Sequence, residues 1–72
     1  MAVVKVVEVI AQSDKSWEDA ARAGLEEATK SIQGVQSMWV KDMQAVVEKD
    51  KIVQYRLNAK ISFVVNENRR KK

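Results

Sequence analysis

Residues 54–65, Gln54-Tyr55-Arg56-Leu57-Asn58-Ala59-Lys60-Ile61-Ser62-Phe63-Val64-Val65, decide the fold. Tyr55, Leu57, Ala59, Ile61, Phe63 and Val65 are apolar on one parity. Gln54, Arg56, Asn58, Lys60 and Ser62 are polar on the other. A period of two marks a strand with one face against a core and one face toward water. Moving toward the N-terminus, the charged group Glu48-Lys49-Asp50-Lys51 has neither glycine nor proline and reads as a longer or bulged turn. Before it, Val35 to about Val47 is a second extended stretch.

Ahead of Gly34 the period changes. Trp17, Ala20, Ala21, Gly24, Leu25, Ala28 and Ile32 recur at spacings of three and four and form one side of a helix. Ser16 is its N-cap, with Asp19 three residues on as a short-armed version of the capping box, and Glu18 and Asp19 complement the positive end of the helix dipole. Gly34 is expected at C′, where a left-handed residue ends a helix. Trp17 belongs to the apolar face and is read as core. At the start of the chain, residues 2–12 carry Val3, Val4, Val6, Val7, Val9 and Ile10 on both parities. β-Branched residues suit a pleated surface, and apolar residues on both parities suit a strand covered on both sides.

The expected class is therefore α+β with the order β-α-β-β, three antiparallel strands wrapped around one helix in a single domain over residues 1–65. Residues 66–72, NENRRKK, hold no apolar side chain and are expected to be a flexible basic tail. A chain of 72 residues offers a core that rarely supplies more than about 3 to 5 kcal/mol alone. With one helix to cover one face of the sheet, the second face awaits a ligand or a further subunit.

Composition narrows the chemistry. There is no cysteine and no histidine, which removes disulfides, the usual soft-metal ligands and the usual general base near neutral pH. No acid–base pair stands out from surface charge, and an enzyme is not expected. The apolar start is too short and too interrupted by Lys5 and Glu8 to span a membrane, and a cytoplasmic protein is expected. The net charge is +3, from thirteen basic and ten acidic residues, and Arg69, Arg70, Lys71 and Lys72 alone account for it. The tail reads first as a solvating end and second as a contact for a polyanion. It has no aromatic residue with which to read bases, so nucleic acid is not the expected partner.

In this order the residues resemble the dodecins from about Val4 to Val65. The resemblance rests on Lys5-Val6-Val7-Glu8-Val9-Ile10 leading to Ser13, on Ser16-Trp17-Glu18-Asp19-Ala20, and on Ala23-Gly24-Leu25-Glu26-Glu27-Ala28. Val40-Lys41, Tyr55-x-Leu57 and Ile61-x-Phe63 complete it. It implies a hollow homododecamer that stores flavins (riboflavin, lumichrome or FMN) as stacked pairs against an indole, which can also quench the excited flavin. The position of the family's stacking Trp is occupied here by Ser37, and that of its flavin-bonding Gln by Arg56. In this the chain is similar to the flavin-free, calcium-associated branch.

Two alternatives accompany that substitution. Trp39 and Gln54 each lie two residues from the family positions and so keep the same sheet face, giving a displaced flavin site moved by roughly 6 to 7 Å on each strand. The structural reading of Trp39 is that it fills a subunit interface. Calcium needs six to eight oxygens, and with no D-x-D-x-D loop present the candidates are Glu8, Asp42 and Glu48, brought together between chains. Arg56 and Lys60 are expected to pair with carboxylates. The sharper reading of Arg56 is recognition of a phosphate or carboxylate.

Overall fold

The computed structural model describes residues 3–65, so the basic tail expected at residues 66–72 lies outside the described residues. The chain forms β1 (Val3–Ser13), α1 (Trp17–Thr29), β2 (Val35–Glu48) and β3 (Lys51–Val65). The sheet is antiparallel in the order β1-β3-β2, so the last strand is the central one. This is the α+β, β-α-β-β architecture that the sequence predicts.

Register assigns the faces. Leu57, Ala59 and Ile61 of β3 stand opposite Ala11, Val9 and Val7 of β1 and opposite Met43, Val40 and Met38 of β2. This row lies under the helix. The buried apolar core consists of Leu57, Ala59, Ile61 and Ala20 of α1. The helix sits low on the sheet because its contact face is made of small residues: a Cβ added at Gly24 would come within 2.9 Å of the Ala11 Cβ.

Several local expectations are corrected. Gly34 does not end the helix, which finishes at Thr29 with Lys30 as an αR C-cap and tightened bonds from Lys30 N–H to Glu27 and Ser31 N–H to Ala28. Gly34 instead takes φ 77° in the turn into β2, and its carbonyl accepts the Val64 N–H at 3.0 Å. Ile32 therefore falls beyond the helix, and Leu25 is 38% exposed at the margin of the contact face. Asp19 does not complete a capping box. Its N–H bonds the Ser16 hydroxyl at 2.9 Å, while its carboxylate accepts from Ser13 at 2.7 Å and ties β1 to the helix start. The turn between β2 and β3 is not long. Lys49 and Asp50, at φ 51° and 65°, form a two-residue connection flanked by the pair Glu48↔Lys51, and positive φ at both central residues is the type I′ solution.

Within β2 the register shifts at Gln36 and Lys41. An unpaired residue flips the parity that follows it, so Met38 and Val40 face the helix before Lys41, and Met43 and Ala45 face it afterwards.

The described chain measures 56 × 19 × 13 Å with a radius of gyration of 15.1 Å, against about 11 Å for a compact domain of this length. A 13-residue helix spans only about 20 Å, so it covers part of one sheet face. Val4, Val6, Ile10 and Trp39 on the other face are exposed, as are Val47 and Ile52 near the hairpin tip.

Two substitutions test this geometry. Gly24→Ala improves helix propensity by about 1 kcal/mol, yet the approach to Ala11 predicts a net loss of about 1 to 2 kcal/mol through overpacking, read as a lower thermal midpoint. Lys49→Gly relieves a left-handed non-glycine residue and is expected to raise stability by about 1 kcal/mol in the same measurement.

Candidate functional site

The sheet face turned away from the helix carries the chemistry. Along β3 it presents Gln54, Arg56, Asn58, Lys60 and Ser62. Cross-strand neighbours on β1 are Gln12 beside Arg56, Ile10 beside Asn58, Glu8 beside Lys60 and Val6 beside Ser62. On β2 they are Val46, Gln44, Asp42, Trp39 and Ser37, beside Gln54, Arg56, Asn58, Lys60 and Ser62 respectively.

Toward one end, Val6, Ser37, Trp39, Lys60 and Ser62 line a concavity of about 340 Å³. The Trp39 indole is 62% exposed, and the Lys60 ammonium stands 5.3 Å from its ring centroid, a distance at which a cation is attracted to the π face. The Ser37 and Ser62 hydroxyls bond each other at 2.6 Å. Trp39 thus combines a large flat surface, a nearby cation and two hydroxyls.

At the centre, Glu8 accepts from Lys41 at 3.0 Å, a bond that reaches across β3. The hydrogen bond and charge of Lys41 hold the Glu8 carboxyl below its ordinary 4.5, with further lowering from the charge of Lys60 and from Asn58. A second concavity, of about 350 Å³, is lined by Ile10, Asp42, Met43, Gln44, Arg56 and Asn58. There the Asn58 Oδ1 is buried without a hydrogen-bond partner among the described residues.

The residues singled out in the sequence are distributed unevenly. Ser37 and Trp39 share the first concavity, Arg56 lines the second, and Gln54 lines neither. Ser37 stands opposite Ser62, six residues along β3 from Arg56, and Trp39 stands opposite Lys60, six residues from Gln54. At about 3.3 Å per residue each pair is separated by roughly 20 Å, so neither converges within one chain. Among the calcium candidates, Glu8 and Asp42 lie on opposite sides of β3, while Glu48 sits at the hairpin turn. Among the described residues no three acidic side chains gather into a metal-binding group. The expected carboxylate partners of Arg56 and Lys60 are replaced within the chain. Arg56 Nε donates to the Gln12 Oε1 at 2.9 Å, and Lys60 takes the indole because Lys41 already holds Glu8. Trp17 is half-buried and not deep in the core. It meets Tyr55 edge-on at a centroid distance of 4.9 Å and donates to the Gln44 carbonyl at 3.2 Å.

Sequence reasoning missed Lys60 and Ser62 as the neighbours of Trp39, and Asn58 as an unpaired acceptor. Their parity placed them on the right face, but only the register brings them beside β2.

Comparison with known proteins agrees with this architecture. The model of the dodecin family matches residues 3–66. Calcium dodecin of Mycobacterium tuberculosis is 30% identical over 63 residues, covering 88% of this chain and 89% of that protein. The crystal structure of that calcium dodecin, described as calcium chelating with a novel calcium-binding site, is similar at a TM-score of 0.79 and 28% identity over 90% of this chain and 93% of its own. A point mutant of the Thermus thermophilus dodecin superposes at a TM-score of 0.87 with 24% identity, covering 93% and 100% of the two chains, a likeness of fold.

The Glu8–Lys41 pair makes a pH prediction. A carboxyl lowered by folding contributes stability that is fully present above its unfolded value of 4.5 and is lost as pH falls through the lower folded value. Glu8→Gln is therefore expected to unfold at lower temperature than wild type near neutral pH, with the gap closing as the solution is acidified below 4.5, measured by thermal melts across pH.

Proposed function

The chain belongs to the dodecin family, and on that premise we propose that it is the subunit of a cytoplasmic homododecamer that binds and stores a small aromatic ligand without transforming it. The observation that carries this reading is Trp39, an exposed indole in a concavity on the sheet face that the helix leaves bare. Flat rings stack on indole faces, and a flavin is the ligand class the family suggests. The site is the displaced one at Trp39, because Ser37 supplies no stacking surface at the family position. Gln54, roughly 20 Å away in the same chain, would contribute only from a neighbouring copy. An assembly of identical chains also accounts for the extended shape and for the exposed Ile10, Val47 and Ile52.

A second reading is favoured by a separate observation. The buried, unpaired Asn58 Oδ1 and the Asp42 carboxylate stand on directly opposite residues and line one concavity, and a close relative is a calcium dodecin. Two oxygens are too few for calcium, which takes six to eight, so such a site would need several copies meeting around the ion.

Light scattering is expected to give about 98 kDa for twelve chains of 8.2 kDa, and a monomer would contradict the assembly. Titration of riboflavin and FMN into the particle should quench flavin fluorescence at a fixed flavin-to-subunit ratio and lose that quenching in Trp39→Ala. Saturable heat on adding calcium, abolished by Asp42→Asn while flavin quenching persists, would instead support the ion reading.

A further inference from the structure

We infer that the Trp39 concavity selects planar aromatic ligands that carry an anionic group, a phosphate or a carboxylate, with Lys60 as the residue that sets this preference. The inference rests on Trp39 being the ligand platform and adds the charge of the ligand to it. Three observations carry it.

First, Lys60 lies over the indole at 5.3 Å, on the very surface a flat ligand would use. A ring stacking on that face has to move the ammonium aside and forfeit its attraction to the π system. Second, Lys60 takes part in none of the ion pairs among the described residues, and its cross-strand neighbour Glu8 is held by Lys41 at 3.0 Å. Lys41 holds Glu8 by direct contact, so Lys60, whose charge reaches that carboxylate only at longer range, is the cation left facing the concavity. Third, the Ser37 and Ser62 hydroxyls face the same space and bond only each other there. They can turn outward to donate to an anionic oxygen.

A neutral aromatic would displace the ammonium and offer it nothing. An anionic one returns a charge-assisted hydrogen bond, so Lys60 moves from the ring to the anion as the ligand enters. The ammonium acts as a movable cover on the indole whose displacement depends on the ligand's charge.

Riboflavin and FMN share one ring system and differ by a phosphate, so they separate the two effects. Fluorescence titrations of the intact particle at low salt are expected to show FMN binding at least about tenfold more tightly than riboflavin, with the gap narrowing as salt screens the charge. Lys60→Gln should bring FMN down to the riboflavin affinity while leaving riboflavin binding intact or tighter, and Lys60→Arg should keep the preference. Equal affinities in the wild type, or a preference that survives Lys60→Gln, would overturn the role of Lys60 while leaving Trp39 as a platform. Absence of quenching by either flavin would overturn the ligand platform itself and the inference with it.

Discussion

One helix on a three-stranded sheet can cover only one of its two faces, and the rest of the molecule follows from that constraint. The covered face is thin because Ala20 and Gly24 let the helix approach the row formed by Leu57, Ala59 and Ile61. A large side chain at position 24 would lift the helix and open the row beneath it. Close approach also limits how much apolar surface one chain can bury. Among the described residues only Leu57 and Ile61 are large and fully buried, at about 1.5 to 3 kcal/mol each. That is little against the backbone entropy of 63 described residues. In the proposed assembly further copies supply the burial that one chain lacks, and the bare sheet face is the surface left for them and for a ligand.

That face has a graded chemistry. Its centre is an ion pair, Glu8 with Lys41, spanning the middle strand and fixing β1 and β2 relative to each other. On one side of it lies an indole under an ammonium, suited to a flat ligand. On the other lie Asp42, Asn58 and Arg56, with an acceptor left over. The central pair matters to both because it occupies Glu8: a free carboxylate opposite Lys60 would draw the ammonium away from the ring.

How much of this could be read in advance depended on whether a feature is written locally. The β3 alternation is local and unbroken, so the core row was legible residue by residue. The helix was legible from its alanine face and Ser16, whereas its end was not: Gly34 looked like a stop signal, but the chain tightens at Lys30 first and uses the glycine to enter β2. The β2 pattern was illegible because Lys41 is unpaired, and a single unpaired residue exchanges the faces after it. The tight turn at Lys49-Asp50 was hidden for another reason, since two non-glycine residues at positive φ hold there through the strands on either side. The site was half legible. Ser37, Trp39 and Arg56 could be singled out as candidates from the sequence, but Lys60 became the neighbour of Trp39 only through register, a property of strand pairing that no local pattern records.

The central claim is that Trp39 is an open platform in the assembled particle and not a filler between subunits. Trp17→Phe keeps an aromatic residue against Tyr55 and leaves Trp39 as the sole indole, so collisional quenching of its fluorescence by acrylamide, with and without FMN, addresses that claim directly. Efficient quenching in the free particle that falls when FMN is added is the predicted result. An indole already shielded in the free particle and unchanged by FMN would contradict the account and place Trp39 in a subunit interface.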